Sequence, residues 1–345
     1  MKYSACIFLL CVLANSLSLL LANRLAASSS NKFTSQNYIF DELPCGKVPG
    51  IEFENSRDFS LGDAYMLMLT YWLLEKYDDD VVGDQMIRWG FDDYRILSKN
   101  NGFRAMVASH KDYLLVVFNG TAKFRQALSN ANFFTKNLEG LPGKVHRGFA
   151  SEYLKSQELV EQSMRDLNPG SKPVVFAGHS RGAAVAKLNA LKLLNSINIR
   201  SVYSFASPRL GDSQLVDAIQ DGYGSHLFQI NLAKDITTQV PPTQDASEVF
   251  TDVLGPQLGF LRKPLERVAR GLEYSYAAGN VYTIYDSGVL TNVTNIQEDI
   301  QNTYWTQLSR DLENKGFMGV IQTIQSFPKS HKPEAYLCSL ANILK

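Results

Sequence analysis

The segment Gly178–Gly182 carries a serine in a setting that suits nucleophilic catalysis. It reads Gly-His-Ser-Arg-Gly, so Ser180 is the central residue of a G-x-S-x-G motif. An apolar run precedes the motif and Ala-rich sequence follows it, which predicts a strand, a sharp turn and a helix. Such a turn exposes the serine hydroxyl, and the glycines allow neighbouring elements to approach it. Since the motif alone recurs by chance, the flanking strand and helix favour Ser180 as a nucleophile over an ordinary turn.

A serine nucleophile needs a base, and chain order selects one histidine. In folds that present a serine in this way, the acid and then the histidine follow it along the chain. Three of the five histidines precede the serine: His110, His146 and His179. His226 lies at the head of a predicted strand, whereas His331 follows every candidate acid, in a polar loop. We therefore expect His331 to be the base, with a solvated surface histidine as the alternative.

The acid should follow a strand next to the serine strand, where its carboxylate can orient the imidazole. Asp235 comes soon after the apolar run 227–231 and is the expected acid. Its competitors are Asp212, Asp245 and Asp286. Asp212 is better explained as a turn or helix-capping residue, and a solvated loop carboxylate is the alternative for Asp235.

Two donors should hold an oxyanion in this chemistry. The backbone N–H of Arg181 begins the predicted helix, whose positive end faces the site. The second donor is expected in the loop after the apolar run 114–118, where Thr121 is the candidate. Asn119-Gly120-Thr121 is also a glycosylation sequon. A glycosylated turn is thus the alternative, since a glycan there would block the site.

These residues require a scaffold of strands and helices in alternation. Four apolar runs predict buried strands: 112–119, 174–177, 202–206 and 227–231. Helical spacing of apolar residues appears before and between them, at 63–77, 152–167 and 182–194. This order predicts the α/β class, with a mostly parallel central sheet and helices on both faces.

Composition limits the functional classes. Lys and Arg number 34, as do Asp and Glu, so the formal net charge is zero and no overall field attracts nucleic acid. The 45% hydrophobic content suits a globular core. His, Cys and carboxylates do not cluster at metal-ligand spacing, so we expect neither a metal nor another cofactor. One domain is expected, over residues 28–345.

The N-terminus indicates export. Residues 1–27 read as a signal peptide, with a positive end, an apolar run and small residues after it. Secretion is expected; an uncleaved anchor, or retention in the secretory or lysosomal lumen, is the alternative. Removal of the signal leaves Cys45 and Cys338, a candidate disulfide in an oxidising compartment, with two unpaired buried thiols as the alternative. Asn292-Val293-Thr294 is a second sequon, consistent with a glycoprotein.

The chain resembles the fungal-type class 3 lipase family beyond the serine motif. Five segments agree in order with the family's motifs: Phe118–Thr121, Val145–Phe149, Gly178–Ala183, Tyr203–Asp212 and Asn231–Pro242. His331, Tyr336 and Cys338 are similar to the family's late histidine, aromatic residue and terminus-linking cysteine. The resemblance implies the α/β-hydrolase fold and a structural role for His146. It also implies hydrolysis of lipid esters by Ser180, His331 and Asp235.

The chain departs from the family's pattern in places that concern the substrate pocket. Asn119 stands where the family usually has Arg, and Arg181 where it usually has Leu. Residues 237–239 loosen the acid loop. Residues 254–272 look like an inserted helical element with basic residues among apolar ones. It would cap the acyl pocket or touch anionic lipid, with a solvated surface helix as the alternative.

The resemblance also implies a lid between Thr121 and His146. Apolar residues recur there at helical spacing: Phe124, Ala127, Leu128 and Ala131. We expect Phe124 and Leu128 to cover the cleft in water and to face lipid when the lid opens. A surface helix that never moves is the alternative.

The expected function is therefore that of a secreted serine acyl hydrolase, similar to a triacylglycerol lipase, that forms an acyl-enzyme on Ser180. Its expected partner is a lipid or ester substrate at a lipid–water interface, with transient contact to a membrane or emulsion surface and none to nucleic acid. A phospholipase A1 or a soluble-ester (feruloyl-type) carboxylesterase is the alternative on the same scaffold. A catalytically silent lipid-binding protein is the alternative from another class.

Overall fold

The computed structural model describes residues 42–46, 48, 51–54, 56–99, 102–120, 134–168, 170–241, 243, 274–293, 314 and 329–345. Several predictions concern residues outside these ranges: the signal peptide 1–27, the oxyanion residue Thr121, the lid residues Phe124 and Leu128, and the insertion 254–272.

The described residues form ten strands: β1 (Phe91–Lys99), β2 (Phe103–His110), β3 (Leu114–Phe118), β4 (Thr135–Asn137), β5 (Lys144–His146), β6 (Val174–His179), β7 (Ile199–Phe205), β8 (Leu227–Leu232), β9 (Asn280–Ile284) and β10 (Leu290–Val293). The eight-stranded sheet has the order β1-β2-β3-β6-β7-β8-β9-β10, and β4 pairs with β5 separately. Strands β3, β6, β7, β8 and β9 run parallel, and the outer pairs are antiparallel. The predicted α/β class with a mostly parallel sheet is confirmed.

Six helices accompany this sheet in the described part of the chain: α1 (Leu61–Lys76), α2 (Asp79–Arg88), α3 (Arg147–Leu167), α4 (Arg181–Leu193), α5 (Ser213–Tyr223) and α6 (Pro333–Leu344). Two 3-10 turns, Gly224–His226 and Ile236–Gln239, flank β8. Helices α3, α4 and α5 each follow a strand directly or after a short loop, and α4 and α5 form crossovers between parallel strands.

The sheet separates two hydrophobic cores because side chains alternate along a strand. In β3, Leu115 and Val117 lie in one core with apolar side chains of α1 and α6. Leu114 and Val116 lie in the other core, with side chains of α3, α4 and α5. The helices therefore cover both faces, as predicted.

The parallel strands direct two loops to one edge of the sheet, and a third loop comes from outside these strands. β6 and β8 are both paired in parallel with β7, so their carboxyl ends lie at the same edge. Ser180 follows β6 and Asp235 follows β8. The third loop precedes α6, which packs against α1 through side chains that include Leu337 and Leu340.

A disulfide joins the two ends of the described chain. Cys45 and Cys338 are bonded, with their Cα atoms 5.2 Å apart. Cys338 belongs to α6, so the bridge ties that helix to the chain before α1. In the residues described, no helix combines the length and apolarity needed to cross a bilayer.

Candidate active site

Ser180 lies at a sharp turn between β6 and α4. Its φ is 58° and its ψ is −124°, a conformation that L residues rarely adopt. Gly178 and Gly182 make the turn possible. A Cβ on Gly178 would lie 2.5 Å from the backbone of Gly182, and a Cβ on Gly182 would lie 2.2 Å from the carbonyl oxygen of Phe118. The strained serine between close-packed glycines has the geometry of a nucleophile elbow.

The side chains of Ser180, His331 and Asp235 form one hydrogen-bonded chain. His331 Nε2 is 2.8 Å from Ser180 Oγ, and His331 Nδ1 is 2.8 Å from Asp235 Oδ2. The carboxylate is fully buried, whereas 19% of the imidazole side chain is exposed. The structure therefore brings together the three residues that chain order selected, with the histidine between serine and acid.

Asp235 is held by donors on both of its oxygens. Its Oδ1 accepts from the backbone N–H of Thr237 at 2.9 Å, and its Oδ2 accepts from the Tyr336 hydroxyl at 2.8 Å. The same hydroxyl accepts from the N–H of Leu232 at 3.1 Å. Burial and the nearby carboxylate raise the pKa of Tyr336 far above its usual value, so it remains a donor.

Residue-level reasoning had not assigned a role to Tyr336. The resemblance to class 3 lipases marked it only as an aromatic residue after the histidine. A sequence signal did exist, because Tyr336 follows His331 by only five positions and therefore lies near it. Its contact with Asp235 spans 101 positions, which no local pattern predicts.

The other histidines have structural settings. His179 is buried beneath His331, with ring centroids 4.9 Å apart, and burial holds its pKa well below the usual range. His146 caps α3, since its Nδ1 accepts from Gly148 N–H at 3.0 Å, and burial lowers its pKa to about 4. His226 accepts from the side chain of Arg57. These imidazoles are neutral at physiological pH or lie outside the serine site.

The competing carboxylates have other partners. Asp212 accepts from the N–H groups of Leu215 and Lys144 and caps α5, which agrees with the capping role expected from sequence. Asp286 pairs on the surface with Lys234. Asp245 lies outside the described residues.

One candidate oxyanion donor is in place. Arg181 is the first residue of α4, so its N–H lies at the positive end of that helix. Gly120, which precedes Thr121 in sequence, touches the elbow: a Cβ there would lie 3.1 Å from the His179 carbonyl oxygen and 3.6 Å from Ser180 Cβ. The N–H of Gly120 donates to the hydroxyl of Tyr71 at 3.1 Å, which fixes the start of the oxyanion loop.

Two departures from the family pattern lie beside this loop. The Arg181 guanidinium forms an ion pair with Glu152 of α3, with 3.4 Å between Nη1 and Oε1, and burial lowers the pKa of Arg181. Within the described ranges, the amide oxygen of Asn119 is buried and has no hydrogen-bond partner. Among the described residues, no cluster of His, Cys and carboxylates could hold a metal ion.

The fold and the serine elbow together define a protein of the α/β-hydrolase class. Residues 115–245 match the model of the family described as lipase (class 3). The predicted resemblance to class 3 lipases is thus confirmed over this segment, which contains Ser180 and Asp235.

Curated relatives align over part of their length. Phospholipase A1-II 4 of Oryza sativa subsp. japonica is 27% identical over 158 residues, which cover 37% of this chain and 40% of the relative. The secreted mono- and diacylglycerol lipase 1 of Fusarium solani is 26% identical over 153 residues, which cover 43% of this chain and 45% of the relative. The match therefore spans less than half the length of each of these relatives.

Solved lipase structures resemble the chain more distantly. The triacylglyceride lipase of Rhizomucor miehei aligns with a TM-score of 0.48 and 22% identity, over 66% of this chain and 82% of that one. Lipase II from Rhizopus niveus aligns with a TM-score of 0.47 and 18% identity, over 67% of this chain and 84% of that one.

Proposed function

We propose that this protein is a serine hydrolase that cleaves the carboxylic esters of lipids. The observation that carries the proposal is the chain of two 2.8 Å contacts from Ser180 Oγ through the His331 imidazole to Asp235 Oδ2. The class 3 lipase match over residues 115–245 supports an ester rather than an amide substrate.

The mechanism follows from the positions of these atoms. His331 Nε2 takes the proton of Ser180 as Oγ attacks the ester carbonyl. Asp235 accepts from Nδ1–H and stabilises the imidazolium that forms. The Arg181 N–H and, as proposed from sequence, Thr121 hold the oxyanion. His331 then donates its proton to the leaving alcohol, which leaves an acyl group on Ser180, and a water activated by the same imidazole releases the acid.

Variants at two positions test this mechanism. Ser180→Ala and His331→Ala should each lower turnover by roughly three to six orders of magnitude and leave the melting temperature close to that of the wild type. Because the residues act as a unit, the double variant should be scarcely slower than either single one. Asp286→Ala is the matched control, because it removes a surface carboxylate that also follows Ser180 in the chain. Near-normal turnover in His331→Ala would overturn the assignment.

A phospholipase A1 is the second candidate. Relatives that carry this name align with the chain. Rates on emulsified triacylglycerol, phospholipid vesicles and a soluble short-chain ester, measured on one preparation, separate the candidates. A rate on phospholipid well above the rate on triacylglycerol would favour the phospholipase. A rate on soluble ester alone would favour a carboxylesterase.

Secretion and contact with a lipid surface are part of the proposal. The signal-like N-terminus supports export, as does the disulfide between Cys45 and Cys338. The proposed lid carries Phe124 and Leu128, and Phe134, which follows it in sequence, is 65% exposed. Because a single exposed apolar side chain is ordinary on a protein surface, this part of the proposal rests on the lid residues.

A further inference from the structure

Arg209 is a buried cation between the serine and acid arms of the site. It lies in the loop after β7, the strand between β6 and β8. Only 5% of its surface is exposed. Its backbone N–H donates to the carbonyl oxygen of Val240 at 3.0 Å, so both its main chain and its side chain contact the segment that follows Asp235.

The guanidinium donates to three acceptors within three consecutive residues. Nη1 donates to the carbonyl oxygen of Gln239 and, at 2.9 Å, to that of Pro241. Nη2 donates to the side-chain oxygen of Gln239 at 2.9 Å. The Tyr276 ring lies under the cation, with 5.4 Å between Cζ and the ring centroid.

These acceptors lie at the end of the turn that begins at the proposed catalytic acid, or just after it. Asp235 caps the 3-10 turn Ile236–Gln239 and accepts from Thr237 N–H. The Thr238 hydroxyl donates back to the Asp235 carbonyl oxygen at 3.0 Å, and Val240 N–H donates to the Thr237 carbonyl oxygen at 3.3 Å. A shift of the end of this turn therefore moves the Asp235 carboxylate at its start.

A small cavity of about 20 Å³ borders the turn on this side, lined by Arg209, Thr238, Lys187 and Gln229 among others. Among the described residues, no carboxylate lies within ion-pair distance of Arg209. Burial lowers the pKa of Arg209 to about 10, so it is charged at neutral pH and its charge is compensated by carbonyl dipoles and the ring. Charge-assisted bonds of this kind are stronger than neutral ones and fix geometry.

We infer that Arg209 is a positioning residue that holds Asp235 in reach of His331. The inference rests on the proposed function, because it assigns Arg209 to the acid of that triad. Arg209 touches no reacting atom, and it acts by locking the turn 235–241 to the loop after β7.

The test compares three variants, each of which is first shown to be folded. Arg209→Met removes the donors and keeps the volume, and Arg209→Lys keeps the charge without the planar fork. Lys187→Met is the control, since it removes a buried amine that lines the same cavity and donates to Gln229 rather than to the turn. Turnover and KM are measured on a soluble p-nitrophenyl ester. The far-downfield proton resonance of the His331 Nδ1–H···Asp235 hydrogen bond is recorded on the same proteins, and its loss in His331→Ala assigns it.

Arg209→Met should lower kcat about 10- to 100-fold, with KM within about threefold, since a displacement near 1 Å costs that much. The downfield resonance should disappear or move. Arg209→Lys should recover part of kcat, and Lys187→Met should keep both kcat and the resonance.

Unchanged kcat and resonance in folded Arg209→Met would overturn the inference, as would equal losses in Arg209→Met and Lys187→Met. If Arg209→Met does not fold, Arg209→Lys decides, and wild-type kcat with an unmoved resonance in that variant would refute the positioning role. A wild-type protein that neither hydrolyses ester nor reacts at Ser180 would instead refute the proposed function, while the resonance would still report on the Asp235–His331 contact.

Discussion

Removal of the Cys45–Cys338 disulfide should separate stability from activity. The bridge closes a sequence separation of 293 residues. The chain-entropy relation for a loop of that size gives roughly 5 to 6 kcal/mol, and measured bridges reach about 2 to 5 kcal/mol. The double variant Cys45→Ala with Cys338→Ala should therefore lose about 3 to 5 kcal/mol of unfolding free energy. At about 2 °C per kcal/mol for a chain of this length, the melting temperature should fall by roughly 6 to 10 °C.

The folded site should survive this change. Helix α6 follows His331 directly and carries Tyr336, so its displacement would disrupt the triad. However, Leu337 and Leu340 are fully buried in the core with α1. Each contributes about 1.5 to 3 kcal/mol through burial, which together is comparable to the bridge. We therefore expect α6 to stay docked, and kcat at 25 °C to remain within about twofold of the wild type.

Calorimetry with and without reductant, beside turnover at 25 °C, measures both effects. Reductant should lower the melting temperature of the wild type and leave that of the double variant unchanged. The variant therefore controls for any other effect of the reductant. An unchanged melting temperature in the variant would refute the entropy argument. A large loss of kcat in protein that is still folded would show that the bridge itself, and not core packing, positions His331.

Three further predictions follow from single contacts. Tyr336→Phe removes a charge-assisted hydrogen bond to Asp235 and the acceptor of the Leu232 N–H. It should therefore lower the free energy of unfolding by about 2 to 4 kcal/mol and kcat by about three- to thirtyfold. An unchanged melting curve would contradict the hydroxyl's role. Burial lowers the pKa of Lys187 to about 7, below its unfolded value. The unfolded state then binds more protons, so the free energy of unfolding should rise between about pH 7 and 10.5. Lys187→Met should remove that rise and stabilise the protein at pH 7 by up to about 5 kcal/mol. Denaturant titrations at several pH values would refute this if the variant kept the same rise with pH. Phe124→Ser with Leu128→Ser should lower the rate on emulsified ester and spare a soluble ester, since two exposed apolar side chains favour an open lid at lipid by roughly 3 to 6 kcal/mol; equal losses on both substrates would rule out the lid.

The central strands and the serine turn were predictable because their physical signals are local. Strands β3, β6, β7 and β8 are buried on both faces, so each reads as an apolar run in the sequence. The elbow needs glycines where a Cβ would collide with backbone. The position of His331 followed from chain order, which does not depend on three-dimensional detail.

The edges of the sheet could not be read in the same way. β1 exposes most of its residues, and its polar sequence FDDYRILSK carries no continuous apolar run. β9 and β10 are short, and β10 has no buried residue. Strands of this kind gain their stability from pairing with a neighbour that already exists, which a single sequence does not show.

The supporting contacts of the site were also beyond local patterns. Tyr336 reaches Asp235 across 101 positions and Arg209 reaches the same turn across 30. Arg209 lies in the segment Tyr203–Asp212, and among the described residues it is held by uncharged oxygens, so no pairing of opposite charges in the sequence reveals its role. Such residues are visible only once the loops meet at the sheet edge.

Labelling with a fluorophosphonate probe tests the central claim most directly, since the reagent reacts with a serine that a neighbouring base activates. Peptide mapping of the intact protein should locate one covalent adduct, on Ser180. The rate of its formation should fall by orders of magnitude in His331→Ala and stay near the wild-type value in Asp286→Ala. An intact, folded protein that gains no adduct, or that gains it on another residue, would contradict the assignment of Ser180, His331 and Asp235 as the catalytic triad.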